Sequence, residues 1–89
     1  MAKGFVYILR SLKNNKFYVG STTDIFRRVH QHEAGRVRPT KPLRPLRLEL
    51  FQEYSSIKLA REIERSLKKF KRKDYLEKII KDRVIKLGL

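Results

Sequence analysis

Two short aromatic and β-branched runs, parted by a polar break, constrain this chain more than any other feature. Phe5-Val6-Tyr7-Ile8-Leu9 and Phe17-Tyr18-Val19-Gly20 flank Lys13-Asn14-Asn15-Lys16. Residues of the first kind favour a pleated backbone. Asn tolerates the left-handed conformation that a tight turn demands. The spacing predicts strands over 4–10 and 17–20 joined as a β-hairpin, with the register left open.

The rest of the chain supplies what covers that hairpin. Ser21, Thr22, Thr23 and Asp24 offer side-chain oxygens to the free N–H groups of a helix start. A helix is expected to run to about Ala34 and stop at Gly35. Its apolar stripe reads as Ile25, Phe26 and Val29. Residues 36–45 hold three prolines and four Lys or Arg, a basic loop. Residues 46–54 alternate and predict a third strand with one buried face, carried by Leu46, Leu48 and Leu50. Ser55 and Ser56 precede a helix over 57–70, striped by Leu59, Ala60, Ile63, Leu67 and Phe70. After the basic break Lys71-Arg72-Lys73, Asp74 with Glu77 has the spacing of a capping box. The last helix then carries Tyr75, Leu76, Ile79, Ile80 and Val84 and ends near Gly88. The order β-β-α-β-α-α predicts an α+β fold, helices over an antiparallel sheet. Residues 1–89 read as a single domain, since a chain of 89 residues has room for one core.

Composition narrows the partners. Lys plus Arg number 23 against 9 Asp plus Glu, a net charge of +14, while 40% of residues are apolar. That is enough apolar content for a core and too much for a disordered basic tail. The surplus points to a polyanion, nucleic acid first; a generally solvated Lys-rich surface is the plainer alternative. No apolar run approaches the ~18 residues of a membrane span, so no membrane partner is expected. The N-terminus lacks a secretory signal pattern. The absence of Cys excludes disulfides, thiolate zinc sites and Cys nucleophiles. Two His argue against an all-imidazole metal site. Together these predict a cytoplasmic protein. No P-loop, dinucleotide fingerprint, zinc-protease pair or nucleophile elbow is present.

Polar residues beside the apolar stripes are the remaining candidates. At about 100° per residue, His32 falls roughly 65° and Arg28 roughly 105° from the centre of the first helix stripe, with Arg27 turned to solvent. They form a semi-buried polar pair, or else Arg28 lays its stem on the core and His32 closes the helix end as a cation. On the second long helix Glu64 lies nearer the stripe than Glu62, at roughly 80° against 120°. Glu64 is a candidate hard-cation ligand, or an (i, i+4) partner for Lys68. Tyr7 and Tyr18 are candidate site residues or plain strand residues. Gly20 permits a close approach beside Tyr18.

Phe5-Val6-Tyr7, ten further residues, then Tyr18-Val19-Gly20 resembles the GIY-YIG motif. Arg28 follows Tyr18 by ten residues and His32 follows Arg28 by four, as in that family. Glu64, with Leu67, Lys68 and Phe70 after it, matches the glutamate helix of small single-domain members. His32 to Gly35, and Arg44-Pro45-Leu46 entering a strand, are similar to the same members. The resemblance spans roughly residues 4–75. It implies a three-stranded antiparallel sheet flanked by helices, and hydrolysis of DNA phosphodiesters with one divalent metal, Mg²⁺ or Mn²⁺. It implies that Tyr7 and Tyr18 line the site, Arg28 contacts phosphate, His32 fills a His-or-Tyr position, and Glu64 binds the metal. The sequence departs from the pattern at Phe5 and Val6 for Gly and Ile, in lacking a late Asn, and in carrying Ser21 where some members have Lys.

The general base is Tyr7, Tyr18 or His32 on these side chains alone, with a nearby metal, Arg28 and the positive field all expected to favour a tyrosinate. Arg27, Arg36, Arg38, Lys41 and Arg44 are the expected contacts to the DNA backbone. Whether that DNA is duplex, single-stranded or branched stays open, as does oligomeric state. Two other readings compete: a basic nucleic-acid-binding module without turnover, and an adaptor for an acidic protein.

Overall fold

The computed structural model describes residues 3–70 and 72–85, and of Phe70 the backbone alone. Among these residues the elements are β1 (Gly4–Ser11), β2 (Phe17–Thr22), α1 (Ile25–Glu33), β3 (Leu46–Tyr54), α2 (Ile57–Phe70) and α3 (Lys73–Asp82). The order is the expected β-β-α-β-α-α. The strands form one antiparallel sheet in the order β2-β1-β3.

The hairpin turn uses Asn15 at φ 61°. Buried Ser11 holds it: its Oγ accepts the N–H groups of Lys13 (3.2 Å) and Asn14 (3.3 Å) and donates to the Leu43 carbonyl (2.7 Å). One hydroxyl thus ties the turn to the basic loop, which contains a single 3-10 turn at Lys41–Leu43.

β1 is central and buried on both faces. Val6 and Ile8 face α2 and α3, in a core with Val19, Ala60, Ile63, Leu67, Leu76, Ile79 and Ile85. Tyr7 and Leu9 face the other way, with Ile25 and the partly buried Val29, Leu46 and Leu48. Each fully buried aliphatic side chain contributes about 1.5–3 kcal/mol.

Three expectations are corrected. β3 does not bury one uniform face. Ile8 pairs with Leu50 but Leu9 pairs with Leu48, so Glu49 is an extra residue in the ladder. Side chains alternate with period two, so a one-residue bulge changes their side. Leu46 and Leu48 therefore pack on the α1 side and Leu50 on the α2 side. The nearly buried Glu49 carboxylate meets Arg10 (3.3 Å) and Arg47 (2.6 Å).

The α1 stripe is not Ile25, Phe26 and Val29. Phe26 is 81% exposed, whereas His32 is 0% exposed. Neighbouring positions on a helix point about 100° apart. The inward face is Ile25, Val29 and His32, at i, i+4 and i+7.

α3 has no Asp74–Glu77 capping box. Its N-cap is Arg72, the Asp74 carboxylate takes the Tyr75 N–H (3.0 Å), and Glu77 reaches across to Arg10 (2.9 Å). The helix ends at Asp82 with Arg83 in the left-handed region at φ 58°. Gly88, the expected end, lies outside the described residues. Among the described residues no helix is long and apolar enough to cross a membrane.

Candidate active site

β1 delivers Tyr7, and the partner opposite it on β2 is Gly20. A Cβ at position 20 would run into the phenol end of Tyr7. The glycine that sequence reasoning singled out for close approach therefore makes room for Tyr7 itself. The Tyr7 hydroxyl lies 2.8 Å from His32 Nε2 and accepts Arg28 Nε–H at 3.4 Å. His32 Nδ1 lies 2.7 Å from the Thr40 hydroxyl, which donates to the Val37 carbonyl at 3.3 Å. Four side chains from β1, α1 and the basic loop form one connected chain, and Tyr7, His32 and Thr40 are buried.

Burial sets the charge states here. Burial, with the Arg28 charge added, pushes the His32 pKa down to about 4. His32 is neutral at pH 7 and is not the helix-end cation that one reading of the sequence proposed. Burial also raises the Tyr7 pKa, and it outweighs the opposing hydrogen bond from Arg28. Arg28, one of the influences expected to favour a tyrosinate, is thus outweighed by burial: losing solvation of the phenolate costs more than one guanidinium returns.

Tyr18 and Glu64 join from the sheet edge. β2 is an edge strand, so groups from both faces meet around it. The Tyr18 ring centroid is 5.2 Å from His32 and 6.4 Å from Tyr7. Ser21 donates from β2 to Glu64 Oε1, and Lys68 Nζ lies 2.7 Å from Glu64 Oε2. The same ammonium stands 5.3 Å from the Tyr18 ring centroid. Glu64 is partly buried at the margin of the core and pairs with Lys68, the (i, i+4) partner that one sequence reading gave it. Glu62 is exposed, as the helix geometry predicted.

A cleft of about 310 Å³ opens beside this cluster between α1 and α2. Ser21, Thr22, Arg27, Arg28, Gln31 and Arg61 are among the residues lining it. Arg28 Nη1 donates to Gln31 Oε1 (3.1 Å), which orients the guanidinium. Of the five expected backbone contacts, Arg27 lies in this cleft. Lys41 and Arg44 line a separate groove with Lys13 and Glu33, and Arg36 and Arg38 are exposed on the loop. Arg44 has a structural task as well. It donates to the carbonyls of Glu33 (3.3 Å) and Lys41 (3.2 Å) and lies over Gly35, whose φ of +76° ends α1.

The described residues contain no cluster of three or more His, Cys, Asp or Glu suited to a metal. Glu64 and the Ser21 hydroxyl offer hard oxygen donors, and a cationic ammonium already rests on the carboxylate. One carboxylate completed by water and substrate phosphate is a common Mg²⁺ arrangement, so these residues fit a single divalent ion.

Sequence reasoning missed Thr40, Arg61 and the Ser21–Glu64 bond. Arg61 had a signal, one turn before Glu64 on the same helix. Thr40 had none, because it sits in a loop without periodicity.

A family model described as the GIY-YIG catalytic domain matches residues 3–81. A UPF0213 protein of Listeria monocytogenes is 37% identical over 71 residues, covering 79% of this chain and 79% of the relative. A UPF0213 protein of Listeria innocua is also 37% identical over 71 residues, covering 79% and 78%. A UPF0213 protein of Staphylococcus haemolyticus is 38% identical over 80 residues, covering 89% and 96%. No solved structure matches the chain.

Proposed function

The chain belongs to the GIY-YIG catalytic domain family, a nuclease family, and from that premise we propose that it is a metal-dependent endonuclease hydrolysing DNA phosphodiester bonds. The observation that carries this reading is the convergence on one sheet edge of Tyr7, Tyr18, Arg28, His32 and Glu64, beside a cleft lined by arginines.

In this reading Glu64, with Ser21 behind it, holds one Mg²⁺ or Mn²⁺. The ion, when bound, supplies a Lewis acid that stabilises charge on the leaving oxygen. Arg28 offers its planar fork to a nonbridging phosphate oxygen. Tyr7 removes the proton from the attacking water, and its own hydroxyl proton passes to His32 Nε2. This route needs no free tyrosinate, which the raised Tyr7 pKa disfavours, and the low pKa of His32 makes it give up the received proton readily once the bond is cut. Tyr18 orients the water or the phosphate with its ring against His32. Arg27 and Arg61 hold flanking phosphates in the cleft, and the surplus charge draws in DNA without reading its sequence. Contacts to the backbone alone give weak sequence specificity, and the same reading places the enzyme in DNA repair or maintenance.

The test is incubation of plasmid, single-stranded and branched DNA with Mg²⁺, Mn²⁺ or chelator, for wild type and Glu64→Ala. Cleavage is expected with metal only, and the variant is expected to lose it roughly 100-fold or more while keeping DNA binding. Undiminished cleavage by Glu64→Ala would sink the metal assignment. A second reading, a DNA-binding module without turnover, is favoured by one observation: both Glu64 oxygens are already engaged, by Ser21 and Lys68. It predicts no nicking under any metal, with DNA affinity still steeply dependent on salt.

A further inference from the structure

We propose that Thr40 is a positioning residue for the hydrolytic step: its side-chain oxygen accepts the Nδ1 proton of His32, and so holds the imidazole in the tautomer whose bare Nε2 faces Tyr7. The inference rests on the nuclease reading of the same site and adds to it a residue that touches neither DNA nor metal.

Thr40 is placed for this by its own backbone. Its N–H donates to Val37 O (3.1 Å), its carbonyl accepts from Leu43 (2.9 Å), and its side chain is fully buried against His32. The hydroxyl therefore has a fixed location although it lies in a loop.

Matching donors to acceptors assigns the protons. Two arrangements are conceivable for the chain Arg28–Tyr7–His32–Thr40–Val37. In the first, Arg28 Nε–H donates to Tyr7, Tyr7 O–H to His32 Nε2, His32 Nδ1–H to Thr40, and Thr40 O–H to the Val37 carbonyl. Every donor has an acceptor, with the Thr40 hydroxyl sharing the Val37 carbonyl with the Thr40 and Lys41 N–H groups, and all four bonds run the same way. In the second, Thr40 donates to Nδ1, and Nε2–H donates to Tyr7. The Tyr7 oxygen then receives two donors, and its own hydrogen has no acceptor in this chain. A buried donor left without a partner carries its full desolvation penalty, so the first arrangement prevails.

The tautomer matters because it decides which way a proton can move. With Nε2 bare, water gives one proton to the Tyr7 oxygen as the Tyr7 O–H proton moves to Nε2. The water oxygen bonds to phosphorus while the bond to the leaving oxygen breaks, and the leaving oxygen takes its proton from solvent. The sequence leaves one proton on His32, whose Nδ1–H still rests on Thr40, and solvent removes that proton after product leaves. With Nε2 already protonated the same transfer has no destination.

Thr40→Val keeps the shape of the side chain and deletes the acceptor; Thr40→Ser restores it. The first readout is the protonation of the His32 ring nitrogens by ¹⁵N NMR at neutral pH, without DNA or metal. Wild type and Thr40→Ser are expected to show protonated Nδ1 and bare Nε2, and Thr40→Val is expected to lose that preference. The second readout is cleavage: Thr40→Val is expected to lose roughly 100-fold in kcat with KM nearly unchanged, and Thr40→Ser to recover most of it. A wild-type ring protonated at Nε2 overturns the proposal, as does a Thr40→Val protein with unchanged tautomer and kcat. If wild type cleaves nothing, the nuclease reading fails, and the ring-nitrogen spectra still decide whether Thr40 sets the tautomer. If Thr40→Val does not fold, the wild-type spectrum and the Thr40→Ser kinetics decide the question in its place: protonated Nδ1 with near-wild-type kcat supports the proposal, and protonated Nε2 overturns it.

Discussion

Alternate residues of one strand serve two differently built faces. Val6 and Ile8 enter a core of aliphatic side chains under α2 and α3, while Tyr7 and Leu9 enter a smaller cluster under α1 that shares its interior with His32 and Thr40. The first face is held by apolar area removed from water. The second gives part of its interior to polar groups, tolerable only because they are paired. Among the described residues no buried side-chain polar atom lacks a partner. The contrast teaches where stability and chemistry reside. The α2 core holds the sheet, and the α1 side shapes the charge states of a candidate site to which α2 brings Glu64 from the edge.

Substitutions can break or sharpen that contrast. Ile63→Ala, deep in the α2 core, is expected to cost about 2–5 kcal/mol, read as a lowered urea midpoint. A loss below about 1 kcal/mol would show that this face is not the main source of stability. The α1 face should reveal itself through pH. The folded His32 pKa of about 4 lies below its ordinary value of 6.5, so the unfolded chain takes up the proton first as pH falls. The contribution of neutral His32 is complete above pH 6.5 and is lost between 6.5 and 4, about 3 kcal/mol in all. Urea midpoints across that range should fall for wild type and flatten in His32→Asn, measured as the difference between the two. Tyr7→Phe removes one hydroxyl from a paired chain, so a loss of about 1 kcal/mol is expected, together with loss of cleavage. A destabilisation matching Ile63→Ala would mean the hydroxyl is structural. Phe26→Ala, at a position that pattern reading assigned to the core, should change stability by less than about 0.5 kcal/mol, because the ring is already in water.

Much of this was legible in advance, and the reason is range. The hairpin, a helix cap within residues 21–24 and the turning of Glu64 nearer the core than Glu62 depend on residues within a few positions of each other. Local geometry fixes such relations: a turn needs Asn15 at positive φ, and a helix turns about 100° per residue. The misreadings involve partners from afar. Glu77 left its helix start for Arg10, 67 residues away. The Glu49 bulge exists only against β1. Phe26 and Ile25 were equal on hydrophobicity alone, and packing on the sheet decided between them.

Residue order by itself determined the element sequence and the family, because periodicity and motif spacing are properties of the chain. Only the tertiary structure decided what the side chains of the candidate site are chemically. His32 is neutral and Tyr7 holds its proton because distant segments bury them and supply their partners. The cost of a charge depends on what surrounds it, and those surroundings form only when the chain closes.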